Sequence, residues 1–248
     1  MTLSIVMAAV LYLSFAIFVS GLAIKITRYA RTPAPLPIAT TPAPVTRLGV
    51  VLRFLREIVL FSSLFKSNKW TWLFAWLFHF ALLLVCIRHL RYVTDPVWAW
   101  VAFLQSAGIY AGYLLMFGLV ALWIRRLFVD RVRYISSPSD HLMLLLLLAI
   151  AASGLAMTYV WHADIVALKQ YVLGLLVFDV QRMPGDPLMV LHLLLVALLM
   201  AVFPFSKLLH VPGQFFSPTR TQVDNPRERR HVAAWVTHSP TGQNGTAK

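Results

Sequence analysis

The chain of 248 residues is 59% hydrophobic and only 12% charged, with a mean hydropathy of +0.74. A soluble domain carries about 25% charged residues, so this composition excludes a soluble globular protein and equally a disordered one. The net charge of +13 lies mainly in the connections between apolar runs, as in an oriented membrane protein and unlike a nucleic-acid-binding one. We therefore predict an all-α integral membrane protein.

The first two predicted spans flank a polar, proline-containing segment at residues 25–69. The first span covers about residues 2–24 and lacks charge, and its basic residues follow it, which is typical of a retained helix with its N-terminus outside. A proline-rich linker occupies 32–45. Residues 47–65 mix arginine with leucine and valine, a pattern that predicts an amphipathic helix on the cytoplasmic membrane surface.

Four further spans follow, and with the first they form a predicted membrane domain over residues 1–211. The shorter run 165–180 contains charged residues and is predicted to be an outer interfacial helix. Residues 212–248 are predicted to be a polar cytoplasmic tail without a core of its own. The four spans cover about 70–90, 105–127, 141–161 and 187–210.

The distribution of basic residues tests this topology. Five spans with the N-terminus outside place 18 of the 22 lysines and arginines on the inner side and four on the outer side. A sixth span at 165–180 would instead move the basic C-terminal tail outside. The positive-inside rule therefore favours five spans and a cytoplasmic C-terminus.

Four histidines in or at the ends of spans are the strongest functional signal, because ionisable side chains within membranes are rare. On continuous helices His79 and His89 differ in height by about 15 Å, while His192 and His210 differ by about 27 Å and share one face. In antiparallel helices, His89 and His192 lie toward the outside and the other two toward the cytoplasm. This arrangement predicts two haems, each bound by one imidazole from each helix. Helix tilt or a kink at Pro204 must absorb the unequal spacing.

The offsets of ten residues between His79 and His89, and of eighteen between His192 and His210, resemble those of the respiratory nitrate reductase gamma subunit. This resemblance covers about residues 2–211. It implies two b-type haems and a bacterial inner (cytoplasmic) membrane location. It also implies that His89 and His192 ligate the outer haem, and that His79 and His210 ligate the inner one.

The long linker and the polar tail more closely resemble a related cytochrome b subunit, called DsrM, of the membrane complex linked to dissimilatory sulfite reductase. That likeness would place the chain in sulfur metabolism. The membrane subunit of heterodisulfide reductase is another similar protein.

Other polar residues at span ends are weaker candidates. Arg88 and Arg91 flank His89 and are candidates for contacts with haem propionates or a quinone, or for interfacial anchoring. His162 is a candidate quinone contact on the outer side. His141 and His162, which bracket the fourth span, form a rival ligand pair, although a helix start and an interfacial helix end are simpler interpretations.

The function predicted from these patterns is electron transfer between a quinone and a cytoplasmic iron–sulfur partner subunit docked on the basic inner face. Further membrane or periplasmic redox subunits are expected, and the chain would act in catalysis only within such a complex, without catalytic residues of its own. The rival is a non-redox transporter or assembly scaffold whose histidines serve proton relay or packing. Against the rival, the predicted spans lack acidic residues and contain few of the helix breaks that transporters use.

Overall fold

The computed structural model describes residues 1–32 and 42–224, and the regular structure of these residues is entirely helical. Within them, five helices are long and apolar enough to cross a membrane. The predicted all-α protein with five spans fits this arrangement. The centre of the proline-rich linker and residues 225–248 lie outside the described residues. The five spans are Thr2–Arg31, Lys69–Tyr92, Gln105–Phe128, Pro138–Tyr159 and Pro187–Phe205.

The described part of the chain contains twelve α-helices and three short 3-10 turns. The helices are α1 (Thr2–Arg31), α2 (Arg47–Leu60), α3 (Ser62–Ser67), α4 (Lys69–His89), α5 (Ala99–Phe103), α6 (Gln105–Phe128), α7 (Asp130–Tyr134), α8 (Pro138–Tyr159), α9 (Ile165–Leu176), α10 (Pro187–Val202), α11 (His210–Phe215) and α12 (Pro218–Thr221). The turns are Leu90–Tyr92, Phe203–Phe205 and Lys207–Leu209.

The chain forms two compact units. The first comprises residues 1–21 and 64–207, and the second comprises residues 22–63 together with the C-terminal segment from Leu208. In the first unit, α6 packs closely on α4, since a Cβ added at Gly118 would lie 3.1 Å from the Cβ of Phe78. Small residues at a helix contact let two backbones approach, which is how helices associate in a membrane. The buried core of this unit contains Phe78, Ala81, Ala111, Leu115, Leu119, Leu148 and Ala151.

Helix α9 has 12 residues, too few to cross a bilayer, in agreement with the short helix predicted for this run. It is fixed to the start of α1 by Tyr171, which is fully buried and donates a hydrogen bond to the carbonyl of Ser4 at 3.0 Å. The hydroxyl of Ser4 in turn accepts from the backbone N–H of Met183 at 3.0 Å. The sequence alone did not reveal this contact between α1 and α9.

The last span, predicted over residues 187–210 with helix tilt or a kink at Pro204, is interrupted at that proline. Helix α10 ends at Val202, and a 3-10 turn over Phe203–Phe205 leads to Ser206, whose φ of −103° and ψ of 170° are extended. Pro204 explains the end of the α-helix, because proline lacks an N–H and its ring clashes with the preceding turn. His210 therefore begins a separate helix, and the continuous helix on which the expected spacing and shared face depend is not formed.

The amphipathic segment predicted as one helix over 47–65 is divided into α2 and α3. Phe61 separates them with a left-handed φ of 49°. The carboxylate of Glu57 accepts hydrogen bonds from the hydroxyl of Ser62 at 2.6 Å and the backbone N–H of Ser63 at 3.1 Å. These bonds supply hydrogen-bond partners for polar groups in the first turn of α3, and so favour two helices over one continuous helix.

The second unit joins α2 to the C-terminal helices. Arg220 forms an ion pair with Glu57 at 3.3 Å, and Arg53 donates a hydrogen bond to the carbonyl of Arg220 at 3.0 Å. The rings of Phe54 and Phe215 meet edge to face with their centroids 5.1 Å apart. The first residues of the predicted tail thus form short helices that pack on α2.

Candidate cofactor site

Two of the four predicted histidines face each other in the first unit. His89 is the last residue of α4, and His192 lies in the second turn of α10. Their ring centroids are 6.5 Å apart, and the ring planes differ by only 12°. Imidazole nitrogens lie about 2 Å from a transition metal, so a metal held between two imidazoles separates the ring centroids by about 6 Å. The arrangement fits a metal bound between these two side chains.

The hydrogen bonds of the two rings also fit that role. The Nδ1 of His89 is 2.7 Å from the carbonyl oxygen of Val85, which can only accept, so Nδ1 carries the proton and Nε2 the lone pair. The Nδ1 of His192 is 2.8 Å from the hydroxyl of Ser153 on α8. Metal-bound histidines generally donate their second ring N–H to such an acceptor, which fixes the ring orientation.

Small residues on α8 make room for the His192 ring. A Cβ added at Gly154 would lie 3.4 Å from the Cε1 of His192, an ordinary van der Waals distance. Ala151, one turn earlier on α8, is buried. The His192 ring therefore lies directly beside the backbone of α8 at Gly154.

A haem fits this donor set better than a structural zinc ion. Among residues 1–32 and 42–224, no three histidine, cysteine, aspartate or glutamate side chains cluster to hold a metal ion. A structural zinc site needs four protein ligands, whereas a haem iron needs only axial ligands because its macrocycle supplies the others.

The other two predicted ligands are His79 and His210. The Nδ1 of His79 is 2.7 Å from the carbonyl oxygen of Ala75, which gives it the same tautomer as His89. His79 belongs to the first compact unit, and His210, at the start of α11, belongs to the second. The pairing of these two histidines stays a prediction.

The rival pair His141 and His162 has a different geometry. The indole N–H of Trp123 donates a hydrogen bond to the Nδ1 of His141 at 3.2 Å, so that nitrogen carries the lone pair and the proton lies on Nε2. This tautomer is the opposite of that in His79 and His89 and suits packing between α6 and α8. His162 lies beyond the end of α8, exposed, with a φ of 28°. Its contact with a quinone stays a prediction.

Arg88 and Arg91 both lie against Gln105, a residue that the sequence reasoning missed. Arg88 donates to the carbonyl of Gln105 at 3.0 Å, and the guanidinium of Arg91 lies 5.5 Å from the ring centroid of Tyr92. The Nη1 of Arg91 is 3.5 Å from the side-chain oxygen of Gln105. These contacts join the end of α4 to the start of α6. Roles of the two arginines toward propionates or a quinone stay predictions.

A buried carboxylate at the other end of α8 was also missed. The sequence predicts only a helix start at Asp140, and the structure confirms it with a capping box formed with Ser137. However, Asp140 is only 8% exposed and also pairs with Lys207 at 2.7 Å and with Arg126 at 3.4 Å. It thereby ties the ends of α6 and α8 to the 3-10 turn Lys207–Leu209. The sequence signal that could have revealed this cluster is an acidic residue at the start of an apolar span.

Comparison with known proteins decides the family. The sequence model of the family described as "Nitrate reductase gamma subunit" matches residues 45–223. The chain belongs to the nitrate reductase gamma subunit family. All four candidate histidines of this family member lie inside the matched range.

Curated relatives extend the match of this nitrate reductase gamma family member. The "Hdr-like menaquinol oxidoreductase cytochrome b-like subunit" of Archaeoglobus fulgidus is 37% identical, over 90% of this chain and 81% of its own length. The protein of the same name from Archaeoglobus profundus is 34% identical, over 90% and 80%. The nitrate reductase gamma chain of Bacillus subtilis is 32% identical, over 54% of this chain and 69% of its own length. The predicted resemblance to nitrate reductase gamma-like cytochromes b is confirmed, while the narrower likeness to DsrM stays a prediction.

Proposed function

We propose that this chain is the membrane-embedded electron-transfer subunit of a respiratory-type redox complex and holds two b-type haems. The observation that carries the proposal is the near-parallel pair of imidazoles, His89 and His192, with ring centroids 6.5 Å apart. The names of the relatives, which include a cytochrome b-like subunit of a menaquinol oxidoreductase, support a haem protein that uses a quinone. A transporter or scaffold would not require this ring geometry.

The histidines are the axial ligands in this proposal, His89 with His192 for the outer haem and His79 with His210 for the inner one. When bound, each haem supplies a site that accepts and releases one electron. The chain's own residues hold the imidazoles in place. The carbonyls of Val85 and Ala75 accept the Nδ1–H of their histidines and make the opposite nitrogen a stronger ligand.

The direction across the membrane follows from the charge distribution. With the N-terminus outside, the end of α4 that holds His89 lies toward the outer surface, where a quinone would exchange electrons. Arg88 and Arg91 adjoin it in sequence, and His162 is proposed to lie on the same side. The basic inner side, with 18 of the 22 lysines and arginines, is the proposed docking face for an iron–sulfur subunit.

Haem content tests the proposal directly. The full chain, purified in detergent after expression with sufficient haem, should show the reduced spectrum of b-type haem and two haems per chain in a pyridine haemochrome assay. Redox titration should resolve two midpoint potentials. A folded, helical and colourless protein under these conditions would overturn the proposal.

The docking face is tested by truncation. Deleting residues 225–248 keeps the contacts of Arg220 with Glu57 and Arg53, so membrane insertion and both haems should be retained while co-purification of the iron–sulfur partner weakens. The matched control replaces Lys169 and Arg182, predicted on the outer side, with glutamine. Full partner yield with the truncated chain in detergent and high salt would exclude residues 225–248 from the docking face.

A further inference from the structure

We propose that Ser153 is a positioning residue whose hydroxyl oxygen accepts the Nδ1–H of His192 and so sets the reduction potential of one haem. The observation is that Ser153 Oγ on α8 lies 2.8 Å from His192 Nδ1 on α10. The inference rests on the proposed function, since it concerns the haem held by His89 and His192.

The direction of this hydrogen bond follows from the other neighbours of the hydroxyl. Ser153 Oγ lies 2.8 Å from the carbonyl oxygen of Ala149 and 3.0 Å from that of Ile150. These carbonyls can accept the single hydrogen of the hydroxyl, and the carbonyl of Ile150, which only accepts, also forms a hydrogen bond with the His192 ring. The oxygen lone pairs are then available to accept, and His192 is the donor. The His192 lone pair therefore lies on Nε2, the nitrogen that can bind a metal.

The Ser153 hydroxyl has hydrogen-bond partners other than His192. Ser153 is 5% exposed, and a buried hydroxyl requires at least one hydrogen-bond partner, which the α8 carbonyls supply. Ser14, equally buried on α1, is satisfied in the same way, by the carbonyl of Leu11 at 3.0 Å. The contact with His192 is thus additional, and it orients the imidazole.

This contact makes His192 different from His79 and His89. Those two donate to a backbone carbonyl four residues earlier on their own helix, Ala75 and Val85, both at 2.7 Å. His192 differs because its ring meets a side-chain hydroxyl on another helix, that of Ser153, together with the backbone carbonyl of Ile150 on that same helix. An acceptor at Nδ1 makes the imidazole more electron-donating, which favours the oxidised iron and lowers the potential. The potential of this haem can therefore be changed without altering the ligands.

The experiment compares Ser153→Ala with Ser153→Thr, which keeps a hydroxyl, and with Ser14→Ala as the matched control. The full chain is purified in detergent, its haem content is measured, and both midpoint potentials are determined by optical redox titration. In Ser153→Ala, we expect two haems and a rise of about 59 mV in one midpoint potential. For a one-electron couple, this rise changes the ratio of reduced to oxidised haem about tenfold. Ser153→Thr and Ser14→Ala should keep both wild-type potentials.

Two haems at unchanged potentials in Ser153→Ala would overturn the inference and leave the proposed function standing. Loss of one haem in Ser153→Ala, with both retained at wild-type potentials in Ser153→Thr, would support it, since the hydroxyl alone separates the variants. Loss in both variants would show that only a small side chain is needed, and would overturn it. A wild-type chain without haem would overturn the proposed function and the inference together.

Discussion

His192 and His210 belong to the same apolar run of the sequence, yet different interactions stabilise the chain around each of them. His192 lies inside α10, a regular helix that packs on α8, and its ring contacts Ser153 and Gly154. His210 lies beyond the extended residue Ser206 and begins a helix of six residues. Backbone hydrogen bonds and close packing order the first region, whereas a helix this short adds little order of its own.

The chain on either side of His210 is held by ion pairs instead. Before it, Lys207 pairs with the buried carboxylate of Asp140 at 2.7 Å. After it, Arg220 pairs with Glu57 at 3.3 Å. A ligand inside a packed helix should resist changes of pH and salt, while a ligand flanked by ion pairs should be sensitive to both.

The largest effect is expected from the ligands themselves. His192→Ala and His210→Ala should each reduce the haem content from the proposed two per chain to one, because each removes one proposed axial ligand of a different haem. The pyridine haemochrome assay measures it. His141→Ala, which removes a histidine whose Nδ1 accepts from Trp123, should retain both haems. Two haems surviving in His192→Ala would contradict the ligand assignment.

The next largest effect is expected at Asp140. Asp140→Asn removes the ion pairs with Lys207 and Arg126 and leaves both cations without their shared carboxylate. Breaking a buried pair costs about 3–5 kcal/mol, but Lys207 is 71% exposed, so we expect a loss of about 2 kcal/mol in the free energy of unfolding. Thermal unfolding in detergent measures it.

The control for Asp140 is Asp130→Asn, which removes an exposed ion pair with Arg133 at 2.8 Å and should change stability little. In Asp140→Asn, the haem ligated by His210 should also be lost at a lower temperature than the haem ligated by His192. Equal loss of both haems on heating would contradict the difference between the two regions.

A smaller effect is expected from acidification of the second unit. Burial raises the pKa of Glu57, but hydrogen bonds from Ser62 and Ser63 and the charge of Arg220 outweigh it and lower that pKa below its ordinary value. Because the pKa of Glu57 is lower in the folded than in the unfolded state, ionised Glu57 stabilises the fold at any pH above its pKa in the unfolded state. This stabilisation is lost as the pH falls through its pKa in the folded state. The protection factors of α2 and α12, which compare their hydrogen exchange with that of an unstructured peptide at the same pH, should therefore fall below about pH 4.

The control for this prediction is Glu57→Gln, in which the protection factors of α2 and α12 should already be lower at neutral pH and should lose most of their acid dependence. The expected cost is below about 1 kcal/mol, since Arg220 is partly exposed. Identical pH profiles of exchange in the wild type and Glu57→Gln would exclude Glu57 as the acid-sensitive group.

The smallest effect is expected at Trp123. Trp123→Phe removes the N–H that His141 accepts and should cost about 1 kcal/mol, the net value of one hydrogen bond, without changing the haem content or either potential. Thermal unfolding and redox titration measure the two quantities. Loss of a haem in this variant would restore His141 as a candidate ligand.

Much of the architecture is predictable because it depends on composition and local spacing. Long apolar runs must be helical in a membrane, so five spans and a short helix at Ile165 follow from hydropathy and length. The candidate histidines His89 and His192 stand out for the same reason, since a polar side chain is conspicuous in an apolar run. Ser153 is far less conspicuous, because a serine in a span can satisfy its hydroxyl on its own helix.

The sequence by itself therefore determined the five spans and the short helix at Ile165, which family the chain belongs to, and which histidines are candidates. Only the tertiary structure decided that His89 and His192 face each other and that Ser153 contacts the second of them. It also joined Asp140 to Lys207, 67 residues further along the chain. Hydropathy is a property of each segment of the sequence and can be calculated without the fold. Hydrogen bonds and ion pairs between helices depend on which helix faces meet, and those faces are fixed only when the helices pack.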